Sequence, residues 1–188
     1  MNDLTRYEEI KDQIKTGDYL SWYSYTLLGY SIRVFSPGSN HGSLAIRPKK
    51  HGIFENRRFT IEAQSKGIQV RLLSELLRNY KGKVWLYPLK NEFDPKREAV
   101  GKWALSKEGV KYDYKSLFKQ ILASVSVDLK LLFCTEFCYA SWWKGGVIEK
   151  HGKLLTEMKA PKPSEIPPLG LFKPRILMLD SEFDKVKT

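Results

Sequence analysis

Cysteine is scarce in this chain, and the placement of its two cysteines excludes two common roles of the residue. Cys134 and Cys138 lie only four residues apart, so they cannot provide a disulfide framework. No CxxC pair and no cysteine–histidine spacing typical of zinc accompanies them. We therefore expect no metal or other cofactor, and a reducing, cytoplasmic setting in which the thiols stay free.

Long apolar runs are also missing. No run approaches the roughly 18–20 residues of a membrane-spanning helix, and the polar N-terminal residues 1–13 do not resemble a secretory signal. We therefore expect no transmembrane segment. The 188 residues suffice for one domain whose core needs no cross-links, so we predict a single domain over 1–188 that ends in a polar tail at 180–188.

Acidic residues are outnumbered by basic ones, which gives the chain a net charge of +11. The basic residues are dispersed, and such a surface is most often simply solvated. It would also suit a polyanionic partner: nucleic acid, an anionic cell-wall polymer or an acidic membrane surface. No helix-turn-helix, zinc-finger or aromatic ribonucleoprotein pattern accompanies the charge, which argues against nucleic acid as the partner.

Hydrophobic periodicity predicts alternating helices and strands. Apolar residues at helical spacing predict a short helix over 4–16, stopped by Gly17. The same spacing predicts helices at 25–35, 74–80, 95–106 and 114–124. Apolar stretches bounded by turn residues predict strands at 18–22, 40–47, 59–63, 68–72, 83–89 and 175–179, and the short turn at Lys66-Gly67 predicts a hairpin.

The segment Leu131–Trp143, LLFCTEFCYASWW, predicts a strand or loop that leads into a helix beginning at Cys134. A thiol at a helix N-terminus has its pKa lowered by the helix dipole, and only the thiolate is a strong nucleophile. We therefore predict that Cys134 is a nucleophile, with a buried core thiol as the alternative. Cys138, one turn further on, is predicted to pack in the core, and Glu136 to serve the first helical turn.

A nucleophilic cysteine needs an imidazole to take its proton and a third group to orient that imidazole. His41 is the best candidate base, because it opens a predicted strand directly after a Pro-Gly loop. His51 and His151 lie in lysine-containing loops. Glu62, inside the predicted strand at 59–63, is either part of a polar outer face or a carboxylate beside His41 that accepts the second imidazole proton.

Six short motifs follow one another along the chain: GDYL at 17–20, NHGSLAI at 40–46, FTIEA at 59–63, GVKYD at 109–113, FCTEF at 133–137 and PSEIPPLG at 163–170. Together they resemble the permuted papain-like cysteine hydrolases of the NlpC/P60 superfamily, in particular the YaeF/YiiX-like branch. The resemblance implies an α+β, circularly permuted papain-like fold with a central antiparallel sheet packed against helices. In such a permuted core the histidine precedes the cysteine.

Carried over residue by residue, the resemblance implies that Cys134 is the nucleophile, His41 the general base and Glu62 the residue that orients it. The substrate would be a peptide or acyl amide, for example a cell-wall peptide, cleaved through a thioester. The Cys134 backbone N–H at the helix start would help to hold the oxyanion.

Two alternatives stay open. One is transfer or hydrolysis of a lipid ester, as in the related lecithin:retinol acyltransferase-like branch. The other is a non-catalytic binding module on a basic scaffold.

Overall fold

The computed structural model describes residues 4–25, 41–49, 52–64, 66–111, 129–148 and 176–179. Within these ranges the elements follow in the order α1 (Thr5–Ile10), a 3₁₀ turn (Lys11–Gln13), β1 (Tyr19–Ser24), β2 (His41–Ile46), β3 (Phe59–Gln64), β4 (Gly67–Leu72), α2 (Leu73–Asn79), β5 (Gly82–Tyr87), a second 3₁₀ segment (Asn91–Lys96), α3 (Arg97–Leu105), α4 (Leu129–Lys144) and β6 (Ile176–Leu179). The helices predicted over 25–35 and 114–124 lie outside the described residues apart from residue 25, and the tail at 180–188 lies wholly outside them.

The described strands form one antiparallel sheet in the order β4-β3-β2-β1-β5-β6. The predicted hairpin is confirmed, because β3 and β4 pair along their whole length, from Phe59 opposite Leu72 to Gln64 opposite Gly67. β2 lies inside the sheet, between β1 and β3.

The pairing of β2 with β3 brings two predicted site residues to the same end of the sheet. Phe59, the first residue of β3, lies opposite Ile46, the last residue of β2. Because the strands are antiparallel, the start of β2 at His41 lies beside the end of β3, close to Glu62.

Alternate residues of the strands pack on opposite faces of the sheet, as the period of two requires. Leu44 and Ile46 belong to the core on one face, whereas Ala45 belongs to the core on the other. Helices α3 and α4 cover the first face, and α1 and α2 cover the second. The α+β prediction, with a central antiparallel sheet packed against helices, is confirmed in this form.

Two helices begin or end where the chain makes tertiary contacts, not at the predicted residues. α1 gives way to the 3₁₀ turn after Ile10, before the predicted end at residue 16, and the Lys11 carbonyl accepts a 2.8 Å hydrogen bond from the buried Arg58. α3 begins at Arg97, two residues later than predicted, because the preceding residues around Pro95 adopt the tighter 3₁₀ form.

A buried ion pair joins the start of β1 to α3. The fully buried Asp18 lies 2.6 Å from the Arg97 guanidinium and accepts backbone N–H groups from Lys15 and Leu89. Arg97 also donates to the carbonyls of Thr16 and Leu89. The Asp18 carboxylate is thus paired with a cation and with two backbone N–H groups, as a buried charge requires.

Two close contacts seat the C-terminal half of α4 on this framework. The Trp142 indole N–H donates to the Gly17 carbonyl at 2.9 Å. Directly after the helix, a side chain at Gly145 would come within 2.3 Å of Val100 in α3, so only glycine allows the approach. Both contacts hold α4 against the face of the sheet where Cys134 is buried.

Candidate active site

His41 and Glu62 form a hydrogen-bonded pair at the end of the sheet. The His41 Nε2 atom and the Glu62 Oε2 atom are in contact. Glu62 is 2% exposed, whereas the His41 side chain is 25% exposed. A buried carboxylate thus orients an imidazole that still reaches the surface.

The other oxygen of Glu62 is held as well. Gln64, two residues further along β3, donates its amide to Glu62 Oε1 at 2.8 Å. The Arg71 guanidinium on β4 lies 3.5 Å from the same oxygen. Burial alone would raise the pKa of Glu62, but the hydrogen bond and charge of His41, followed by Arg71 and Gln64, outweigh it and lower the pKa. The carboxylate is therefore ionised, with both oxygens fixed in direction.

Cys134 meets this pair from α4. Its side chain is fully buried, its sulfur accepts the Gly42 backbone N–H at 3.3 Å, and it is hydrogen-bonded to the His41 ring. The ring therefore bridges the thiol and the carboxylate. The structure thus brings the three predicted side chains, Cys134, His41 and Glu62, into one connected chain of contacts.

The pKa of His41 reflects its two neighbours. Burial alone would lower this pKa, but the charge and hydrogen bond of Cys134, followed by those of Glu62, raise it from 6.5 to about 10. The arrangement favours an imidazolium beside a thiolate at neutral pH. A backbone N–H on the sulfur stabilises the same charge state.

The predicted start of the helix at Cys134 is wrong. α4 begins at Leu129, so Cys134 is the sixth residue of the helix, and Glu136 does not lie in its first turn. Leucine and lysine favour helix, so residues 129–133 extend the helix instead of forming a strand or loop. The Cys134 N–H therefore lies inside the helix, where such groups bond to the carbonyl four residues earlier. Neither the dipole of the helix start nor this N–H as an oxyanion donor is available as predicted.

Cys138 is buried in the core beside Cys134, as predicted. Burial, followed by the negative charges of Cys134 and Glu62, raises its pKa well above the ordinary value. The two thiols are therefore equally buried but chemically different, and only Cys134 is hydrogen-bonded to the imidazole.

Three contacts of the site were missed at the level of sequence. Gln64 and Arg71 could have been found from the predicted hairpin, because Gln64 follows Glu62 by two residues and the register places Arg71 diagonally across from Glu62. The role of Gly42 depends on where α4 packs. A side chain at Gly42 would lie 2.5 Å from the Tyr19 hydroxyl, so this position accepts no larger residue without displacing buried Tyr19.

The pair of His41 and Glu62 makes a prediction about pH. Replacing Glu62 by glutamine preserves the shape but removes the charge that helps to raise the pKa of His41. We expect the titration midpoint of His41, followed by NMR of the three histidines, to move down from the parent value. Glu98→Gln, which removes a carboxylate paired only with lysines, is the matched control and is expected to leave it unchanged. A His41 midpoint equal in the parent and in Glu62→Gln would show that the carboxylate does not act on the imidazole.

Comparison with known proteins gives the fold and little else. No family model matches the chain, and no curated protein matches it at a significant level of similarity. Among solved structures, the chain is similar to the crystal structure of the metalloprotein YiiX from Escherichia coli O157:H7. The TM-score is 0.52 at 15% identity, over 92% of this chain and 93% of that chain. The chain thus has a YiiX-like fold.

YiiX is described as a metalloprotein, which raises the question of a metal site in this chain. Among the side chains that the structure describes, no three from His, Cys, Asp and Glu are arranged so that they could hold a metal ion. In the candidate site, the Glu62 carboxylate is already committed to His41, Gln64 and Arg71. Among the described residues, the donor set of the candidate site does not fit a metal.

Proposed function

We propose that the protein is a cysteine hydrolase that cleaves an amide bond through a thioester on Cys134. The observation that carries this proposal is the continuous contact from the Cys134 thiol through His41 to the buried Glu62. A thiol, an imidazole and an orienting carboxylate in this order are the parts that nucleophilic acyl transfer requires. Their order along the chain also agrees with the permuted papain-like cores of the NlpC/P60 superfamily.

The chemistry follows from the charge state of the pair. The Cys134 thiolate attacks the carbonyl carbon, and the imidazolium of His41 gives its proton to the leaving amine as the C–N bond breaks. His41, now neutral, takes a proton from water, which attacks the thioester and releases the acid and the free thiol. Glu62 keeps the imidazole in one orientation throughout and stabilises its charged form.

The substrate class is proposed from the resemblance and from charge. A peptide or acyl amide suits the chemistry, and the net charge of +11 suits a substrate carried on an anionic polymer such as the cell wall. Because Cys134 is fully buried and His41 is partly exposed, we expect the acyl group to approach from the side of His41.

The first test is the reactivity of the two thiols. We expect iodoacetamide to alkylate Cys134 at pH 7 much faster than Cys138, which is equally buried but not activated. In His41→Ala the rate at Cys134 is expected to fall about tenfold or more, because an ordinary thiol is only a few per cent thiolate at pH 7. Peptide mass spectrometry after timed quenching measures both sites in one sample.

The pH dependence of this rate has a definite sign. The thiolate is favoured as long as His41 is protonated, so the reactivity of the parent should persist well below pH 8.5, the pKa of a free thiol. In His41→Ala the alkylation rate of Cys134 should fall with pH as it does for an ordinary thiol. Alkylation of Cys134 no faster than that of Cys138 at pH 7 would refute the hydrolase proposal.

A further inference from the structure

The turn between β2 and β3 carries two large apolar side chains that point into solvent. Ile53 is 89% exposed and Phe54 is 53% exposed. The Phe54 ring packs edge-on against Phe59, the first residue of β3, at a centroid distance of 5.8 Å. Adjacent exposed residues of this size at the tip of a turn are costly in water and point to a partner.

A shallow hollow adjoins this turn. Its volume is about 590 Å³, and its lining includes Ile46, Pro48 and Leu105, the last of which is 41% exposed. Ile46 lines the hollow and lies opposite Phe59 in the sheet, and Phe59 contacts the Phe54 ring. The hollow therefore adjoins the exposed part of the turn. Of the four large apolar side chains that are exposed in the described part of the chain, three therefore lie at this end of the sheet.

Basic side chains surround these apolar ones. Besides the buried Arg58 and Arg97, five basic side chains lie in the turn or around the hollow, together with three carboxylates: Lys15, Arg47, Lys49, Arg57 and Lys102, with Glu55, Asp94 and Glu98. Lys49 and Lys102 share the single carboxylate of Glu98, so their combined charge is only half neutralised. The Arg47 guanidinium donates to the Asp12 backbone carbonyl, which carries no charge. The surface is thus apolar at its centre and positive around it.

We propose that this surface, made of Arg47, Lys49, Ile53, Phe54, Arg57, Lys102 and Leu105, docks onto an anionic lipid bilayer. A soluble polyanion would engage the cations alone and leave Ile53 and Phe54 in water. A bilayer interface takes up apolar side chains below the headgroups and pairs cations with anionic lipid phosphates at the same depth. One partner then contacts both the apolar and the basic side chains of the surface.

Docking here leaves the candidate active site free. His41 and Ile46 lie at opposite ends of β2, about 16 Å apart at the rise of an extended strand. The turn that docks follows Ile46, so the partly exposed side chain of His41 lies away from it. Docking is independent of the hydrolase proposal, and variants of the turn should retain the thiol reactivity of Cys134.

Vesicle co-sedimentation tests the docking. We expect the parent to bind vesicles of phosphatidylcholine mixed with phosphatidylglycerol, not vesicles of phosphatidylcholine alone, and added salt to weaken the binding. Ile53→Ser/Phe54→Ser is expected to lower the affinity for the anionic vesicles about tenfold, since two large side chains no longer insert. Ile53→Ser alone should lower it in the same direction, and at 89% exposure this change does not disturb the fold.

Val110→Ser is the matched control, because Val110 is 49% exposed at the opposite end of the sheet. Its carbonyl accepts the N–H of Ile68 near the start of β4, beside the end of β3. We expect Val110→Ser to bind the anionic vesicles as tightly as the parent does. Parent protein that stays in the supernatant with anionic vesicles would overturn the proposal. Vesicle binding by Ile53→Ser/Phe54→Ser that is as tight as that of the parent would also overturn it. So would binding to soluble dextran sulfate that is as tight as binding to the vesicles and is unchanged in Ile53→Ser.

Discussion

Cys134→Ala is expected to abolish acyl transfer while leaving the protein folded. The nucleophile forms the covalent intermediate, and the loss of such a residue lowers kcat by at least about 10⁴-fold in enzymes of this kind. p-Nitrophenyl acetate is a suitable probe, because it acylates an activated thiol without requiring the natural substrate. Intact mass should show one acetyl group on the parent, released by hydroxylamine, and none on Cys134→Ala.

Cys138→Ala is the matched control for this experiment. It removes the other thiol of the chain, from an equally buried position one turn along the same helix. Because burial and neighbouring negative charge raise the pKa of Cys138, it should not be acylated, and its loss should leave the acetyl group on the parent site. Acetylation that persists in Cys134→Ala, or that is lost in Cys138→Ala, would place the nucleophile elsewhere.

Substrate screening with the same two variants separates the enzymatic alternatives. Muropeptides and simple peptide amides test the amidase, and fatty-acyl esters test the lipid-ester alternative. Hydrolysis that requires Cys134 in either panel assigns the bond type. A parent that is neither acylated by the probe nor alkylated rapidly at Cys134 would favour the non-catalytic binding module.

Of the variants proposed for this protein, Arg97→Met is expected to lower the free energy of unfolding most. It would leave the fully buried Asp18 carboxylate without its cation, and it would remove the donors to the Thr16 and Leu89 carbonyls. Breaking one half of a buried ion pair costs about 3–5 kcal/mol, because the remaining charge stays desolvated. Urea denaturation followed by circular dichroism measures this loss.

Arg6→Met provides the comparison. Arg6 and Glu9 form an ion pair of similar length, 2.8 Å, but both side chains are more than half exposed. The same substitution there should cost less than about 1 kcal/mol, since solvent replaces the lost contact. Equal losses in the two variants would mean that burial of the Asp18 charge does not matter to the fold.

The pH dependence of the Arg97→Met effect follows from the pKa of Asp18. Burial raises this pKa, and Arg97 is the main group that opposes the rise. In the variant the pKa rises further, so a proton is taken up more readily by the folded than by the unfolded state. The folded variant therefore gains stability relative to the parent as the pH falls, and the difference between them should be greatest at neutral pH and shrink in acid.

Much of the fold was predictable because local patterns determine it. The period of two in β2 separates Leu44 and Ile46 from Ala45, and the structure places them in the cores on opposite faces. The short turn after β3 predicted the β3–β4 hairpin, and the structure confirms that these two strands pair. These features depend on residues that are neighbours in sequence, and so the sequence alone suffices for them.

The helix around Cys134 shows where local patterns fail. The run Leu131–Phe133 is equally compatible with a buried strand and a buried helix, because continuous apolar residues carry no period. Packing of α4 against the sheet and α3 decides for helix, with Trp142 bonded to Gly17 and Gly145 against Val100. A helix start therefore does not lower the pKa of the Cys134 thiol as predicted, although Cys134 remains the candidate nucleophile.

The sequence by itself determined which side chains are available for chemistry: two thiols, three imidazoles, and a carboxylate set within a strand. Only the tertiary structure decided which charged and polar groups surround the Cys134 thiol. The imidazolium of His41, the N–H of Gly42 and the carboxylate of Glu62 come from two strands that lie far from Cys134 in sequence. Electrostatic stabilisation depends on distances through space in a medium shielded from water, and those distances exist only once the sheet and α4 have packed together.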